Sequence, residues 1–202
     1  MRVYTQEQIA TLQTSEKYSD CVFDNLQLSG LDLKDCQFEH CSFQNANLTE
    51  TLFNTSEFHN CNFSNATTAQ TNFFVAKFTQ CKFLGVSFEK VRSIIGVTFE
   101  KCNFDYANLR GLDLSKMNLS HSSFIETDFS LANLEKTSLM NSQIINCLFQ
   151  GAQFLMTDMR GATLQGISLK TQDLKGVILT EQQVHMLAEE IGIVILDEIP
   201  IK

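Results

Sequence analysis

Apolar side chains recur at every fifth position over most of the chain. From Phe23 to Phe88 only Thr68 interrupts this spacing, and the pattern resumes at Phe99 and continues to Leu179. The interval from Phe88 to Phe99 is 11 residues, one more than two repeats. Helices repeat apolar positions near every 3.6 residues and strands every 2, so neither explains the period. The pattern predicts a chain that turns a corner after each five residues.

A longer period links every fourth repeat. If the large residue and the small residue two positions before it both point inward, four sides of five residues close a square coil. Stacked coils would then lie at the strand spacing of about 4.8 Å, with like residues over like. Five cysteines spaced by 20, 20, 20 and 21 residues support this closure: Cys21, Cys41, Cys61, Cys81 and Cys102. The sequence therefore predicts an all-β solenoid.

Several repeats resemble the A(D/N)LxX motif of the pentapeptide-repeat family, among them ANLTE, ANLRG, ANLEK and TDMRG. The resemblance covers residues 19–180 and implies a right-handed quadrilateral β-helix. With four repeats per coil this gives about 8 coils and a rod of about 40 Å. The hand of the coil rests on the resemblance alone. The extra residue lies within 89–97 and is expected to bulge outward between Glu89 and Gly96. Such a single-residue insertion resembles the loop-poor branch of the family.

Both ends of a solenoid need a cover, because each coil contacts only its neighbours. Residues 1–18 are predicted to form the amino-terminal cap. Thr5-x-x-Gln8 has the form of a capping box and is followed by Ile9 and Leu12, which predicts a short helix over the first coil.

Residues 181–202 are predicted to form the carboxy-terminal cap. Thr180-x-x-Gln183 repeats the capping device, Gly192 marks the end of the helix, and GIVILDE reads as a short strand. A lone strand needs a partner, so we expect this segment to join two subunits as a homodimer. The predicted dimerisation residues are Val184, Leu187, Ile191, Ile193, Val194, Ile195 and Leu196.

The ending LKGVILTEQQVHMLAEEIGIVIL carries a narrower resemblance. It is similar to the topoisomerase-protecting pentapeptide proteins, which comprise Qnr-type quinolone-resistance proteins and related immunity proteins. This resemblance implies a dimer whose rod mimics duplex DNA. Such a dimer would bind DNA gyrase or topoisomerase IV and protect it from quinolones or a peptide toxin. An interaction scaffold with a different protein partner is the alternative.

Charge bears on this choice. The formal net charge of −8 disfavours direct binding to nucleic acid or to anionic membranes, which select basic patches. Duplex DNA carries one charge per ~1.7 Å, so a rod of this length would need roughly 24 charges to match it. Mimicry would therefore depend on clustered acids, whereas ordinary solvating charges remain the other interpretation. The candidate partner-binding acids, on outward positions of the first coils, are Asp20, Asp24, Asp32, Asp35, Glu39, Glu50 and Glu57.

No catalytic motif is evident, so we predict that the protein is not an enzyme and needs no cofactor or metal. No CxxC pair occurs, and the cysteine ladder favours small buried fillers over zinc ligands. His40 and His59 fall at outward sites without metal-ligand spacing. The opening residues resemble no signal peptide and no apolar run could cross a membrane, so we expect a cytoplasmic protein with reduced thiols.

Two irregularities remain. Thr68 occupies an inward site, where a buried hydroxyl needs a hydrogen-bond partner. Phe74 and Val75 are expected to point outward on the same side as Leu52. These side chains form either a contact site or an ordinary scatter of exposed apolar residues.

Overall fold

A computed structural model describes residues 1–167, 175–190 and 192–195, and in it the chain winds into a stack of square coils. Residues 20 apart pair in parallel, so that Phe38 pairs with Phe58 and Phe58 with Phe78. After the extra residue the pairing distance is 21, as in Phe78 with Phe99. The all-β solenoid predicted from the five-residue period is confirmed.

Short strands and isolated bridges build the ladders between coils. A five-stranded sheet has the order β2-β4-β5-β6-β7, a three-stranded sheet the order β10-β9-β8, and β1 pairs with β3. One α-helix, α1, follows the last described coil. The bounds are β1 Arg2–Val3, β2 Lys17–Ser19, β3 Cys21–Val22, β4 Gln37–Glu39, β5 Glu57–His59, β6 Lys77–Thr79, β7 Thr98–Glu100, β8 Ser123–Ile125, β9 Gln143–Ile145, β10 Thr163–Gln165 and α1 Glu181–Glu190.

Four faces surround the core, and each is identified by the central inward residues of its repeats. Face 1 has Tyr18, Phe38, Phe58, Phe78, Phe99, Leu119, Leu139 and Met159; face 2 has Phe23, Phe43, Phe63, Phe83, Phe104, Phe124, Ile144 and Leu164. Face 3 has Leu28, Leu48, Thr68, Phe88, Leu109, Phe129 and Phe149; face 4 has Leu33, Phe53, Phe73, Ile94, Leu114, Leu134 and Phe154.

The backbone conformation at the corners of the coil explains why polar residues lie between the central positions. The residue two after the central one adopts the left-handed conformation, with φ of 56° at Asn45 and 57° at Asn65. Ala46 N–H donates to Phe43 O at 3.0 Å and closes a turn whose third residue has positive φ, as in a type II turn. Asparagine tolerates this conformation better than most residues. The amides also stack, because Asn45 Nδ2 donates to Asn25 Oδ1 at 3.2 Å.

Aromatic rings fill the core of the first coils in vertical files. The Phe58 ring stacks on Phe38 with centroids 4.9 Å apart and on Phe78 at 4.7 Å. It meets Phe63 of the next face edge-on at 5.2 Å. Parallel stacking along the rod and edge contacts across it are both favourable geometries for aromatic quadrupoles.

The cysteine column lies on one wall, as the 20-residue ladder predicted. The Cys41 thiol contacts Tyr18 O at 3.3 Å, and Cys61 contacts the corresponding Phe38 O at 3.4 Å. All seven cysteines are buried and free. Thr68 also behaves as predicted, since its buried hydroxyl donates to Ser87 O at 2.5 Å.

The amino-terminal cap differs in form from the expected helix. Thr5 N–H does donate to Gln8 Oε1 at 3.0 Å, but the turn continues only as a four-residue 3-10 helix, Gln8–Thr11. The strand β1, which the five-residue period could not reveal, pairs with β3 on the first coil. The coil ladder begins at β2, slightly before the boundary of 19 drawn from the period.

The carboxy-terminal cap forms as predicted through α1. Thr180 N–H donates to Gln183 Oε1 at 2.9 Å, and Gln183 N–H donates to Thr180 Oγ1 at 3.3 Å. Gln183 Nε2 also donates to Met159 O and Ala162 O, both at 2.8 Å, and so ties the helix to the coil beneath it. Residues 192–195 pair with no strand of the described chain, so the terminal strand that was expected to pair with a second subunit stays a prediction. Residues 191 and 196–202 lie outside the described part.

One joint between coils is open on two faces. The extra residue falls between Phe88 and Ile94, which are six positions apart and both central. Residues 90–101 make no backbone hydrogen bond to residues 110–121, although all of these residues are described. On face 2 the same two coils stay paired, as Ser123 N–H donates to Cys102 O at 3.0 Å. We call this split on faces 4 and 1 the open joint.

Candidate partner-binding surfaces

The seven acids predicted to bind a partner are spread around the rod. Glu39 and Glu57 lie together on face 1, but each pairs with a lysine of an adjacent coil. Lys17 Nζ lies 3.0 Å from Glu39 Oε2, and Lys77 Nζ lies 2.8 Å from Glu57 Oε1. The hydrogen bond from Lys17 lowers the pKa of Glu39. Face 1 therefore presents alternating charges instead of an acidic patch.

Three more of these acids are engaged in local structure. Asp32 on face 4 pairs with Lys34 at 2.9 Å. Asp35, at the corner between faces 4 and 1, accepts a hydrogen bond from the Thr55 hydroxyl. Asp24 on face 2 is half-buried and accepts a bond from Gln44 N–H at 2.9 Å. Asp35 and Asp24 therefore bond to the next coil, whereas Asp32 pairs within its own repeat.

The structural role of Asp24 recurs in the second half of the rod. Asp105, also next to a central residue of face 2, accepts bonds from Ser123 Oγ at 2.6 Å and Ile125 N–H at 2.9 Å. The shared signal is an aspartate followed 18 residues later by a serine, which is Ser42 for Asp24. Asp24 is therefore better explained as a tie between coils than as a free surface charge.

Asp20 and Glu50 complete the set. Both are exposed corner residues with positive φ, and neither has an ion pair or side-chain hydrogen bond among the described residues. They lie at different corners, between faces 1 and 2 and between faces 3 and 4. The structure thus brings the seven acids to the same end of the rod but not to one side of it.

The residues predicted for dimerisation separate into buried and exposed ones. Leu187 is buried within the protomer, beside a cavity of about 350 Å³ between α1 and the coil of Ala162. Val184, Ile193 and Ile195 are exposed, and Val194 is 80% exposed. Ile191 and Leu196 lie outside the described residues. Met186, which the sequence reasoning omitted, is also exposed and lines the same cavity as Leu187.

A smaller apolar patch lies on face 4. Phe74 is exposed as expected, whereas Val75 and Leu52 are only partly exposed. Ile95 lies over Phe74 in the next coil and is 71% exposed, which the sequence reasoning did not anticipate. Among the described residues, no group of histidine, cysteine or acidic side chains is arranged to hold a metal ion. None of the described helices could span a membrane.

Comparison with known proteins identifies the repeat. The model of the family described as "Pentapeptide repeat region" matches residues 16–93 and 97–174. No curated protein sequence matches the chain.

Two solved structures of QnrB1 variants share the fold at low identity. One trypsin-treated variant of QnrB1, described as a plasmid-mediated fluoroquinolone resistance protein, is 21% identical over 96% of both chains, with a TM-score of 0.60. A second such variant is 22% identical over 92% of this chain and 97% of its own, with a TM-score of 0.63. HetL, a pentapeptide repeat protein from the cyanobacterium Nostoc sp., is 17% identical over 87% of this chain and 95% of its own, with a TM-score of 0.36. Because the family model spans most of the coils, this chain belongs to the pentapeptide-repeat family.

Proposed function

We propose that the protein is a dimeric, DNA-mimicking ligand of a type II topoisomerase, either DNA gyrase or topoisomerase IV. It would occupy the site of duplex DNA and protect the enzyme from quinolones or a peptide toxin. The observation that carries the proposal is the likeness to QnrB1, a fluoroquinolone resistance protein, which extends over almost the whole of both chains.

The two ends of the rod support the proposal in different ways. The carboxy-terminal end presents exposed apolar side chains at Val184 and at residues 193–195, which suits a two-fold contact with a second copy. The amino-terminal coils carry exposed acids such as Asp20 and Glu50. In a dimer joined at the carboxy-terminal ends, these acids would lie at both far ends of a long rod.

The charge pattern limits what kind of mimicry is involved. The chain has 23 acidic and 15 basic residues, and six ion pairs among the described residues engage some of the acids. We therefore expect recognition by rod shape together with a few exposed acids, not by a continuous phosphate-like charge. Exposed charge pairs are screened by salt, so binding should weaken as ionic strength rises.

The second candidate is a scaffold for a protein other than a topoisomerase. It is favoured by the dispersed placement of the acids and by the lysine partners of Glu39 and Glu57. The two functions differ in one measurable property, which is the effect of the purified protein on topoisomerase activity.

Supercoiling by gyrase and decatenation by topoisomerase IV test the proposal, each with and without ciprofloxacin. We expect inhibition or drug protection that decreases with added salt. No effect on either enzyme at any protein concentration would leave the scaffold function.

A matched pair of charge variants locates the contact. Asp20→Asn with Glu50→Gln removes two unpaired acids near the amino terminus. Glu100→Gln with Glu126→Gln changes the net charge equally in later coils. We expect only the first double variant to weaken the effect on the topoisomerase, by severalfold. Equal weakening by both would indicate a non-specific charge effect.

The dimer has its own test. Ile193→Glu with Val194→Glu places two charges on the exposed apolar surface without touching the Gln183 anchor. Light scattering should then report a monomer, whereas Glu181→Gln should leave the dimer intact. A wild-type monomer would contradict the dimeric arrangement.

A further inference from the structure

The strand edges across the open joint lack partners for their backbone groups. In the next joint along face 1, Leu119 N–H donates to Ser138 O at 2.8 Å. The equivalent bond across the open joint would run from Phe99 N–H to Asn118 O, and it does not form. Within the described chain, the backbone N–H groups that make no hydrogen bond there include those of Lys90, Ser93, Ile94, Gly96, Phe99, Lys101, Asp113 and Asn118.

The opening is large enough to be a binding site. A cavity of about 650 Å³ lies between β7 and the segment Ser115–Asn118. Its walls include Phe99, Lys116 and Met117, so strand edges and apolar side chains face the same space. Ligand sites in proteins commonly have volumes of about 300–1,000 Å³.

The residues beyond the joint resemble those at the end of the rod. Most repeats have a small residue two positions before the central one, but Leu26 and Leu31 in the first coil are large. The next large residues at this position of a repeat are Leu112 and Met117. They face the open joint and are only partly buried. Large apolar residues thus occur where a coil edge lacks a neighbouring coil.

The first coil shows how such an edge is covered. The amino-terminal segment lies over it in extended form, and β1 pairs with β3 in parallel. The Gln6 side chain completes the ladder, because its Nε2 donates to Gln27 O at 3.0 Å and its Oε1 accepts from Gln27 N–H at 2.8 Å. The open joint has the same kind of edge and no covering segment among the described residues.

Charge around the joint differs from the rest of the protein. Residues 90–116 contain five lysines and arginines and three acids, whereas the whole chain has a net charge of −8. Lys116 is exposed and lines the cavity. Arg92 and Lys101 are exposed beside it, and Lys101 Nζ lies 3.5 Å from Glu100 Oε1. A bound segment with acidic side chains would therefore be favoured over a basic one.

We propose that the open joint binds an extended, acidic segment of a partner protein as an added parallel strand. The segment pairs with β7 on one side and with the backbone around Asn118 on the other. An apolar side chain covers Met117 and Phe99, and acidic side chains face the lysines. This is strand addition into a sheet, a known mode of peptide recognition. The site is separate from the acidic coils and from the dimer surface described above, and it does not depend on the proposed function.

Amide hydrogen exchange of the full-length protein tests the site. In the free protein, the amides of Phe99 and Lys101 should exchange at least 100-fold faster than the paired amide of Leu119. The probe is a blocked heptapeptide of alternating glutamate and valine, and it should slow both amides at least tenfold. The same heptapeptide with lysine for glutamate should have little effect.

A matched pair of variants keeps the test specific. Asn118→Pro removes an N–H that makes no bond in the free protein, whereas Asn118→Ala retains it. Both should melt close to the wild type, and Asn118→Pro should weaken peptide binding at least fivefold more than Asn118→Ala.

Three results would overturn the proposal. The first is protection of the Phe99 and Lys101 amides in the free protein at any concentration. If that protection appeared only as the protein concentration rose, the joint would instead bind a second copy of the chain. The glutamate peptide could leave them unchanged. The lysine peptide could bind equally well, which would exclude acidic recognition.

Discussion

The first coil has an edge without a neighbouring coil on faces 2 and 3, and the open joint has such an edge on faces 4 and 1. The described residues cover the first edge but not the second. At the first coil, β1, Tyr4 and Gln6 cover the edge, and the Tyr4 ring stacks on Phe23 with centroids 4.7 Å apart. At the open joint, the edge of β7 faces a cavity of about 650 Å³. A square coil therefore does not satisfy the backbone groups at its own edges. Backbone groups and apolar residues at an edge need a separate segment to satisfy them.

The largest expected effect comes from uncovering the first edge. Tyr4→Ala should destabilise the first coil by about 3 kcal/mol, because it removes a buried ring and leaves a cavity over Phe23. Native-state hydrogen exchange should report this loss at the amides of the first coil and leave those beyond Phe124 unchanged. Tyr106→Ala, at an exposed corner, is the control and should change stability by less than about 0.5 kcal/mol. A uniform loss along the rod would contradict a local cover.

Closing the open joint should have the next largest effect. Deletion of Arg92 restores the five-residue spacing between Phe88 and the following central residue, so the ladder on faces 4 and 1 can form. Several new backbone bonds, each worth about 0.5–1.5 kcal/mol, should raise the free energy of unfolding by about 2 kcal/mol. Arg92→Ala keeps the chain length and should leave the joint open. If both variants show the same fast exchange at Phe99, the extra residue is not the cause of the opening.

The buried thiols make the stability of the folded protein depend on pH. Burial raises the pKa of Cys102 from an ordinary 9.0 to about 12, and that of Cys21 to about 11. A thiol with a raised pKa in the folded state leaves stability intact below about pH 9 and lowers it as pH rises toward the folded pKa. For Cys102 the loss should be about 1.4 kcal/mol per pH unit between about pH 9 and 12.

Alkaline denaturation of Cys102→Ala checks this expectation. The variant should show a shallower loss of stability above pH 9 than the wild type. Cys147→Ala should flatten the curve by a similar amount, since burial raises the pKa of that thiol to about 12 as well. A Cys102 thiol that reacts rapidly with iodoacetamide in the native protein would show that the opening extends to face 2.

The smallest expected effect concerns the side-chain ladder at the first edge. Gln6→Ala removes both bonds to Gln27 and should cost about 1 kcal/mol, since the site is exposed. Gln6→Glu retains the acceptor for Gln27 N–H but loses the donor to Gln27 O, so about half of that loss is expected. Thermal melts and exchange of the Gln27 amide provide the measurement. An unchanged Gln27 amide in Gln6→Ala would show that water replaces the glutamine without loss.

Some parts of this arrangement were predictable from local pattern, and others were not. The central residues, the cysteine wall and the buried Thr68 hydroxyl follow from a period that repeats in every coil. The surroundings of the predicted partner-binding acids could not be predicted from the sequence, because an outward position does not reveal whether a lysine lies one coil away. In the structure Glu39 and Glu57 each form an ion pair with a lysine, and Leu187 is buried within the chain's own core.

The sequence by itself determined the square coil, the files of like residues and the Gln183 capping box of α1. Each depends on residues that are close along the chain or repeated at a constant interval. Only the tertiary structure decided that β1 covers the first edge and that one extra residue opens two faces between coils. The physical reason is that ladder closure depends on whether two coils, each locally regular, meet in register with every backbone donor opposite an acceptor.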